Sequence, residues 1–251
     1  MFFRYRTEAF SFKKEPRGEY DELFNFYTKD FGRIEVLAKG IKKMKSKLRG
    51  SVDLFYLSEI EFIQGKTYKT LTDAVLIEKF KNIKKSLFKL KLVFAISELL
   101  DELLIAQEKD ERIWKLLIQT LYNLNNPEIK FPLVRIFYYY FFWNLVSILG
   151  YKPELYFCSF CKKRIKPGKI YFSPAEGGLV CQNCFKKDES AIEVKANTIK
   201  ILRILIEKNF SFLKKIRFEG KHFDELEKIT KIFLSSLVKR EKFDILKNEK
   251  T

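Results

Sequence analysis

The sequence predicts an α+β chain in several parts: a small closed β-barrel at the N-terminus, then an α-helical domain with a four-cysteine module inserted in it. Three observations predict it. Residues 1–80 are rich in aromatics, alternate in part and are broken by tight turns. From about Phe80 the apolar residues recur at helical spacing. All 4 cysteines fall in two close pairs, inside a stretch that breaks the helical pattern. The expected division is 1–80 and 81–251, with the cysteine module at about 154–188.

In the first segment, "FFRYRTEAFSF" reads as one strand. "DELFNFYTKDFGRIEVLAKG" reads as two, around Leu23–Thr28 and Arg33–Ala38, joined by a turn at Asp30-Phe31-Gly32. "VDLFYLSEIEFIQGKTYKTLTDAVLIE" adds further strands that turn at Gly65. About five short strands in such a length suit an OB-fold β-barrel, although the pattern alone does not separate it from other small barrels.

The helical part follows. "NIKKSLFKLKLVFAISELLDELLIAQEKD" places Ile83, Leu87, Leu90, Phe94, Leu100 and Leu104 on one face, predicting a single long helix. Asp110 is a cap for the next helix, with Ile113, Leu116, Leu117, Leu121 and Leu124 inward and Asn125-Asn126-Pro127 at its end. A third helix runs through Ile136, Tyr140 and Trp143 to Leu149, with Gly150 at the C′ position. The run Phe131 to Gly150 has the length of a membrane span, but it holds Pro132, Arg135 and Asn144, which favours a buried core helix. Helical spacing resumes in "TIKILRILIEKNF" and "DELEKITKIFLSSLVKREKF", and the tail "LKNEKT" is polar.

Cys158, Cys161, Cys181 and Cys184 form two C-x₂-C pairs. Each pair suits a tight knuckle, and four thiolates complete a tetrahedron that suits Zn²⁺. Four buried thiols, two disulfides or an iron–sulfur centre are the alternatives. A closed Cys₄ set leaves no position for a reactive water, so the expected zinc-ribbon-like site is structural. Close pairing with no other cysteine also suits an intracellular metal site better than a secreted disulfide scaffold.

The formal net charge of +17, from 49 Lys+Arg against 32 Asp+Glu, favours anionic partners: nucleic acid, an acidic membrane surface or an acidic protein tail. The charge is locally concentrated in "LAKGIKKMKSKLRG", which holds Lys39, Lys42, Lys43, Lys45, Lys47 and Arg49 with no acidic residue between Glu35 and Asp53. These six, with Arg33 in the preceding strand, are the candidate nucleic-acid contacts. Tyr5, Phe26, Tyr27 and Phe31 are the candidate stacking platforms, since OB-folds combine a cationic groove with aromatic rings. Lys162, Lys163, Arg164, Lys166, Lys186 and Lys187 surround the cysteines, either as a second contact or as a solvated surface.

No phosphate-binding loop and no G-x-G-x-x-G is present, and His222 is the only histidine, in a polar segment. Nothing forms a catalytic constellation, so no enzymatic activity is expected. The start "MFFRYRTEAFSF" interrupts its apolar residues with Arg4, Arg6 and Glu8, and no signal peptide is expected.

The segments "TEAFSF", "GEYDELFNFYTKDFGRIEVLAKGIKKMKSKLRG", "ILGYKPEL" and "CSFC…YFSPAEGGLVCQNC" resemble the bacterial RecO family, in order along nearly the whole chain. The resemblance is loose after Asp188. It implies a cytoplasmic, nucleoid-associated recombination mediator that binds single- and double-stranded DNA and anneals complementary strands. It further implies contact with the acidic C-terminal tail of single-strand binding protein, cooperation with RecR and help in loading RecA, with no membrane partner. An RNA-binding or ribosome-associated zinc protein, and a membrane-surface scaffold, are the rival classes that the basic composition leaves open.

Overall fold

Period-two alternation and tight turns curl the N-terminal residues into five strands: β1 (Arg4–Arg17), β2 (Asp21–Thr28), β3 (Gly32–Ala38), β4 (Leu57–Gln64) and β5 (Lys69–Glu78). In this computed structural model the described residues are 3–65, 67–104, 109–131, 133–213 and 220–238. The long β1 pairs antiparallel with β2, Ala9 opposite Thr28, and with β4, Thr7 opposite Ile60. A short parallel contact, Val36 with Lys69 and Leu37 with Thr70, closes the barrel in the order β1-β2-β3-β5-β4. Strand count, order and closure are those of the expected OB-fold. Inside lie Ala9, Phe24, Phe26, Ile34, Val36, Ile60, Phe62 and Leu71.

Contacts group the chain into two compact units, Met1–Ile129 and Lys130–Thr251. The strand-to-helix change falls at Phe80, so the first unit also holds α1 (Lys81–Lys84), α2 (Leu87–Leu103) and α3 (Glu111–Asn125). The single long helix expected after Phe80 is broken at Lys85-Ser86. Asn82 is held by Asn125, donating to its carbonyl oxygen at 2.9 Å, while the chain restarts at Ser86. Counting across that break misphases the first turns of α2, while Ile83, Leu100 and Leu104 are buried as expected. α2 buries Leu92, Val93, Ile96, Leu99 and Leu100, whereas Leu87 and Phe94, expected inward, are 64% and 45% exposed. α3 matches its expectation: Asp110 accepts from the Arg112 N–H at 2.8 Å, and all five expected apolar residues are buried.

Two cations cap helix ends, where carbonyls lack intrahelical partners. Arg33, half-buried on β3, donates to the Asp101 and Leu104 carbonyls at 2.6 and 3.0 Å and to the Asp101 carboxylate at 2.5 Å. Lys89, buried on α2, donates to the Asn126 carbonyl at 2.6 Å after α3, and its burial lowers the amine pKa.

In the second unit, α4 (Leu133–Ile148) is buried nearly all round. Its Trp143 stacks on Phe233 at 5.1 Å, and Arg135 bonds Glu227 at 3.1 Å. Gly150, at φ +94°, ends it: its N–H bonds the Ser147 carbonyl, and the Tyr151 N–H bonds that of Val146, as in a Schellman motif. A small sheet in the order β7-β6-β8, from β6 (Ile170–Ser173), β7 (Gly178–Cys181) and β8 (Ile192–Val194), precedes α5 (Ala196–Glu207), α6 (Phe210–Leu213) and α7 (Gly220–Leu237). Among the described residues no helix is long and apolar enough to cross a membrane. The tail "LKNEKT" lies outside the described residues. His222 falls in the first turn of α7.

Replacing Arg33 by Met removes the cap on α2 and leaves Asp101 short of a partner. Urea denaturation should show unfolding easier by about 2 kcal/mol, the scale of hydrogen bonds to a charged group.

Candidate functional site

The connection from β3 to β4 is basic but not loose. Ile41 and Val52 sit in the barrel interior at 3% exposure each, with Leu48 packed against them. Gly40 turns the chain at φ +64°, and its N–H donates to the Asp21 carboxylate at 2.7 Å. The Lys42 N–H reaches the Tyr20 carbonyl at 3.1 Å, and a single 3₁₀ turn runs over Lys47–Gly50. With Ile41, Leu48 and Val52 turned in, the segment turns Lys39, Lys42, Lys43, Lys45, Lys47 and Arg49 out, together with Met44. All six are exposed, and none forms an ion pair with another described residue.

The seventh candidate is placed elsewhere. The guanidinium of Arg33 is engaged by Asp101, Leu104 and Asn25. Among the expected stacking rings, Phe26 and Tyr27 are core residues at 1% exposure each, because the barrel interior and α3 cover the two faces of β2. Tyr27 lies 6.5 Å from Trp114, and burial pushes its phenol up to about 12. Tyr5, 37% exposed, packs on Phe31 and Phe62. Sequence reasoning missed Tyr20, an exposed ring in the β1–β2 turn with the Lys43 ammonium 5.3 Å from its centroid. The signal was there in Gly18-Glu19-Tyr20, a turn beside the acidic acceptor Asp21.

In the second unit the cysteine pairs converge. The four sulfurs lie within 4.8 Å of one another, and Cys161 Sγ is 3.8 Å from Cys181 Sγ. That is far beyond a disulfide bond of about 2.05 Å, and the four cysteines are free. It equals the edge of about 3.8 Å for a tetrahedral ion with metal–sulfur bonds of about 2.3 Å. Each knuckle is built locally: the Lys162 N–H bonds the Cys158 carbonyl, and the Cys184 N–H bonds that of Cys181, both at 2.9 Å. Burial pushes the Cys158 thiol up, but the backbone N–H groups of Cys161, Cys181 and Phe160 outweigh it and bring the thiol down to about 6. Burial, with the sulfurs of Cys181 and Cys161, pushes Cys184 up to about 12, so the set calls for a cation to become four thiolates. The donor set fits a metal ion.

Between the knuckles, β6 and β7 form a hairpin that turns at Gly177, φ +61°. Gly178 is the close approach: a Cβ there would lie 2.7 Å from Ser159 Oγ and 2.9 Å from the Glu154 carbonyl oxygen.

A closed OB-type barrel with an unpaired cationic loop, joined in one chain to helices and a Cys₄ module, is the architecture of a polyanion-binding protein. The chain belongs to the RecO family. Residues 1–80 match the model of the recombination protein O N terminal and residues 84–244 that of the recombination protein O C terminal. It is similar to the DNA repair protein RecO of Dehalococcoides mccartyi (strain CBDB1), 33% identical over 226 residues, 89% of this chain and 86% of the relative. Similarity to the same-named protein of Thermoanaerobacter sp. (strain X514) is 31% over 229 residues, covering 91% and 90%. For that of Alkaliphilus metalliredigens it is 26% over 242 residues, covering 96% of each.

Gly178→Ala should destabilise the cysteine module by about 1–3 kcal/mol, the usual cost of overpacking. Faster loss of bound metal to a chelator, compared with the unaltered chain, is the measurement.

Proposed function

We propose that this chain is a non-enzymatic mediator that binds single- and double-stranded DNA and anneals complementary strands coated by single-strand binding protein. It acts in the bacterial cytoplasm, at the nucleoid, with RecR to help load RecA at gaps and breaks. The observation that carries the proposal is the pinned loop with its six outward, unpaired cations. Lysine and arginine held in this way neutralise phosphates without regard to sequence. Lowering the repulsion between two strands favours their pairing. Arg33, by its bonds to α2, supports the barrel that carries the loop and contributes to binding only indirectly. The acidic tail of single-strand binding protein supplies complementary charge for the basic chain.

The Cys₄ centre holds Zn²⁺ in a structural role: Cys158, Cys161, Cys181 and Cys184 fill a tetrahedron and leave no coordination position open. Protein purified without added metal should contain about one zinc per chain. Chelation, or Cys158→Ser, should destabilise the second unit, since metal binding here is coupled to local folding. Less than half an equivalent of zinc in protein with reduced cysteines would contradict the site.

Six phosphate contacts from the loop correspond to a log–log salt slope of about −4 on single strands. Replacing Lys42, Lys43 and Lys45 by Ala should lower the slope by about 2 for all sequences alike and slow annealing of coated oligonucleotides. Arg33→Met should leave the slope unaltered. An unchanged slope in the triple variant would remove the loop from the interface, and preference for matched RNA over DNA would favour an RNA-directed role.

A further inference from the structure

The cysteine module carries a second cationic surface of its own. Lys162, Lys163, Arg164, Lys166 and Lys169 fall within eight residues, and no acidic residue stands between Glu154 and Glu176. All five are exposed, and none forms an ion pair with another described residue. Four of them, Lys163, Arg164, Lys166 and Lys169, line a groove of about 360 Å³ together with Gln182 and Asn183, and Cys161, Cys181 and Cys184 of the thiol cluster border the same groove. The groove is fixed from beneath: the first knuckle holds Lys163 through its carbonyl, which accepts from the Cys158 N–H at 2.9 Å. Asn183 and Gln182 lie inside the second knuckle.

A divalent ion on four thiolates leaves two negative charges, fewer than the five cations beside it, so charge compensation of the centre does not account for them. An aromatic ring stands next to the groove as well. Phe157 is 45% exposed and pairs with Arg164 across an isolated antiparallel bridge. Residues opposite each other in such a bridge project to the same face, with Cβ atoms about 5 Å apart. Free cations, amide groups and an exposed ring on one face are what a single nucleic-acid strand requires: phosphate neutralisation along the backbone and a plane for a base. An amphipathic acidic peptide is held by large apolar anchors, and beside the cysteines the apolar lining here is Ile165, Pro167 and Ile170, of which Ile170 is buried.

We propose that the groove formed by Lys163, Arg164, Lys166 and Lys169 on the cysteine module is a second phosphodiester-binding site, with Phe157 as its stacking platform. This rests on the nucleic-acid function proposed above and gives the chain one polyanion site in each compact unit. A single protein then engages two strands, or two segments of one strand, through separate surfaces. Linking two weak sites in this way raises the total affinity without strengthening either.

The test uses the full, metal-loaded chain and single-stranded oligonucleotides followed by fluorescence anisotropy across a salt series. Arg164→Ala/Lys166→Ala/Lys169→Ala should lower the salt slope by about 2, with zinc content and melting temperature kept. Phe157→Ala should weaken binding about fivefold or more with the slope unchanged. Combining the groove variant with Lys42→Ala/Lys43→Ala/Lys45→Ala should lower the slope by about 4 in total. If the groove variant keeps the full slope while the loop variant loses its share, the second site is wrong and the proposed function stands. Full slopes in both variants would overturn both. A groove variant that loses affinity for a poly-glutamate peptide but not for the oligonucleotide would also overturn the site, by making its partner an acidic peptide.

Discussion

The candidate interface of the first unit depends on three apolar side chains. Ile41, Leu48 and Val52 are pressed into the barrel by the connection between β3 and β4. That connection carries six like charges in eleven residues, and their mutual repulsion favours an expanded, disordered loop. Burial of side chains of this size contributes about 1.5–3 kcal/mol each, enough to hold the segment in one conformation. The outcome is a surface whose charges are already placed when an anion arrives. Binding then proceeds without the cost of ordering the loop, which is where preorganised sites gain affinity. The apolar spacing within "KGIKKMKSKLRGSV" is thus as much a part of the site as its lysines.

What was legible in the sequence was what local pattern determines. β3 alternates after an obvious turn from β2, α3 begins at an aspartate cap, and α4 ends at a glycine. The failures came from partners distant along the chain. A period of two says that Arg33 points away from the barrel interior. It cannot say that the C-terminus of α2 lies there, because Asp101 is 68 residues further on. Tyr27 was misjudged for the same reason, since a strand reads as half-buried until a helix covers its second face, whereas Phe26 is simply turned into the barrel interior. The first turns of α2 were misread because of the break at Ser86: Leu87 and Phe94 were expected inward and are exposed, while Leu100 and Leu104 are buried as expected.

The cysteine module is the opposite case. A C-x₂-C knuckle is closed by hydrogen bonds within a few residues, so its geometry follows from spacing alone. Two knuckles facing one ion then determine the rest, and the 3.8 Å separation of Cys161 and Cys181 follows. The grouping of the nearby cations was not legible. Their number could be counted, but the bridge that sets Phe157 beside Arg164 and the groove that gathers Gln182 and Asn183 with the lysines are products of the fold.

The ion pairs of the first unit explain why its charge acts locally. Arg4 and Arg6 lie among Glu59, Glu61 and Asp73 across β1, β4 and β5. Lys14 bonds Asp53 at 2.7 Å, Lys29 bonds Glu8 at 2.9 Å, and Lys13 shares Asp101 with Arg33. Exposed pairs of this kind add little stability. Their effect is electrostatic: each cancels a cation that would otherwise widen the positive field of the barrel. With those cations matched, the Lys39–Gly50 connection stands out as a source of field within a Debye length of about 8 Å at physiological salt. A uniformly basic barrel would attract a strand to any face. A barrel largely neutralised outside one loop attracts an anion to that loop.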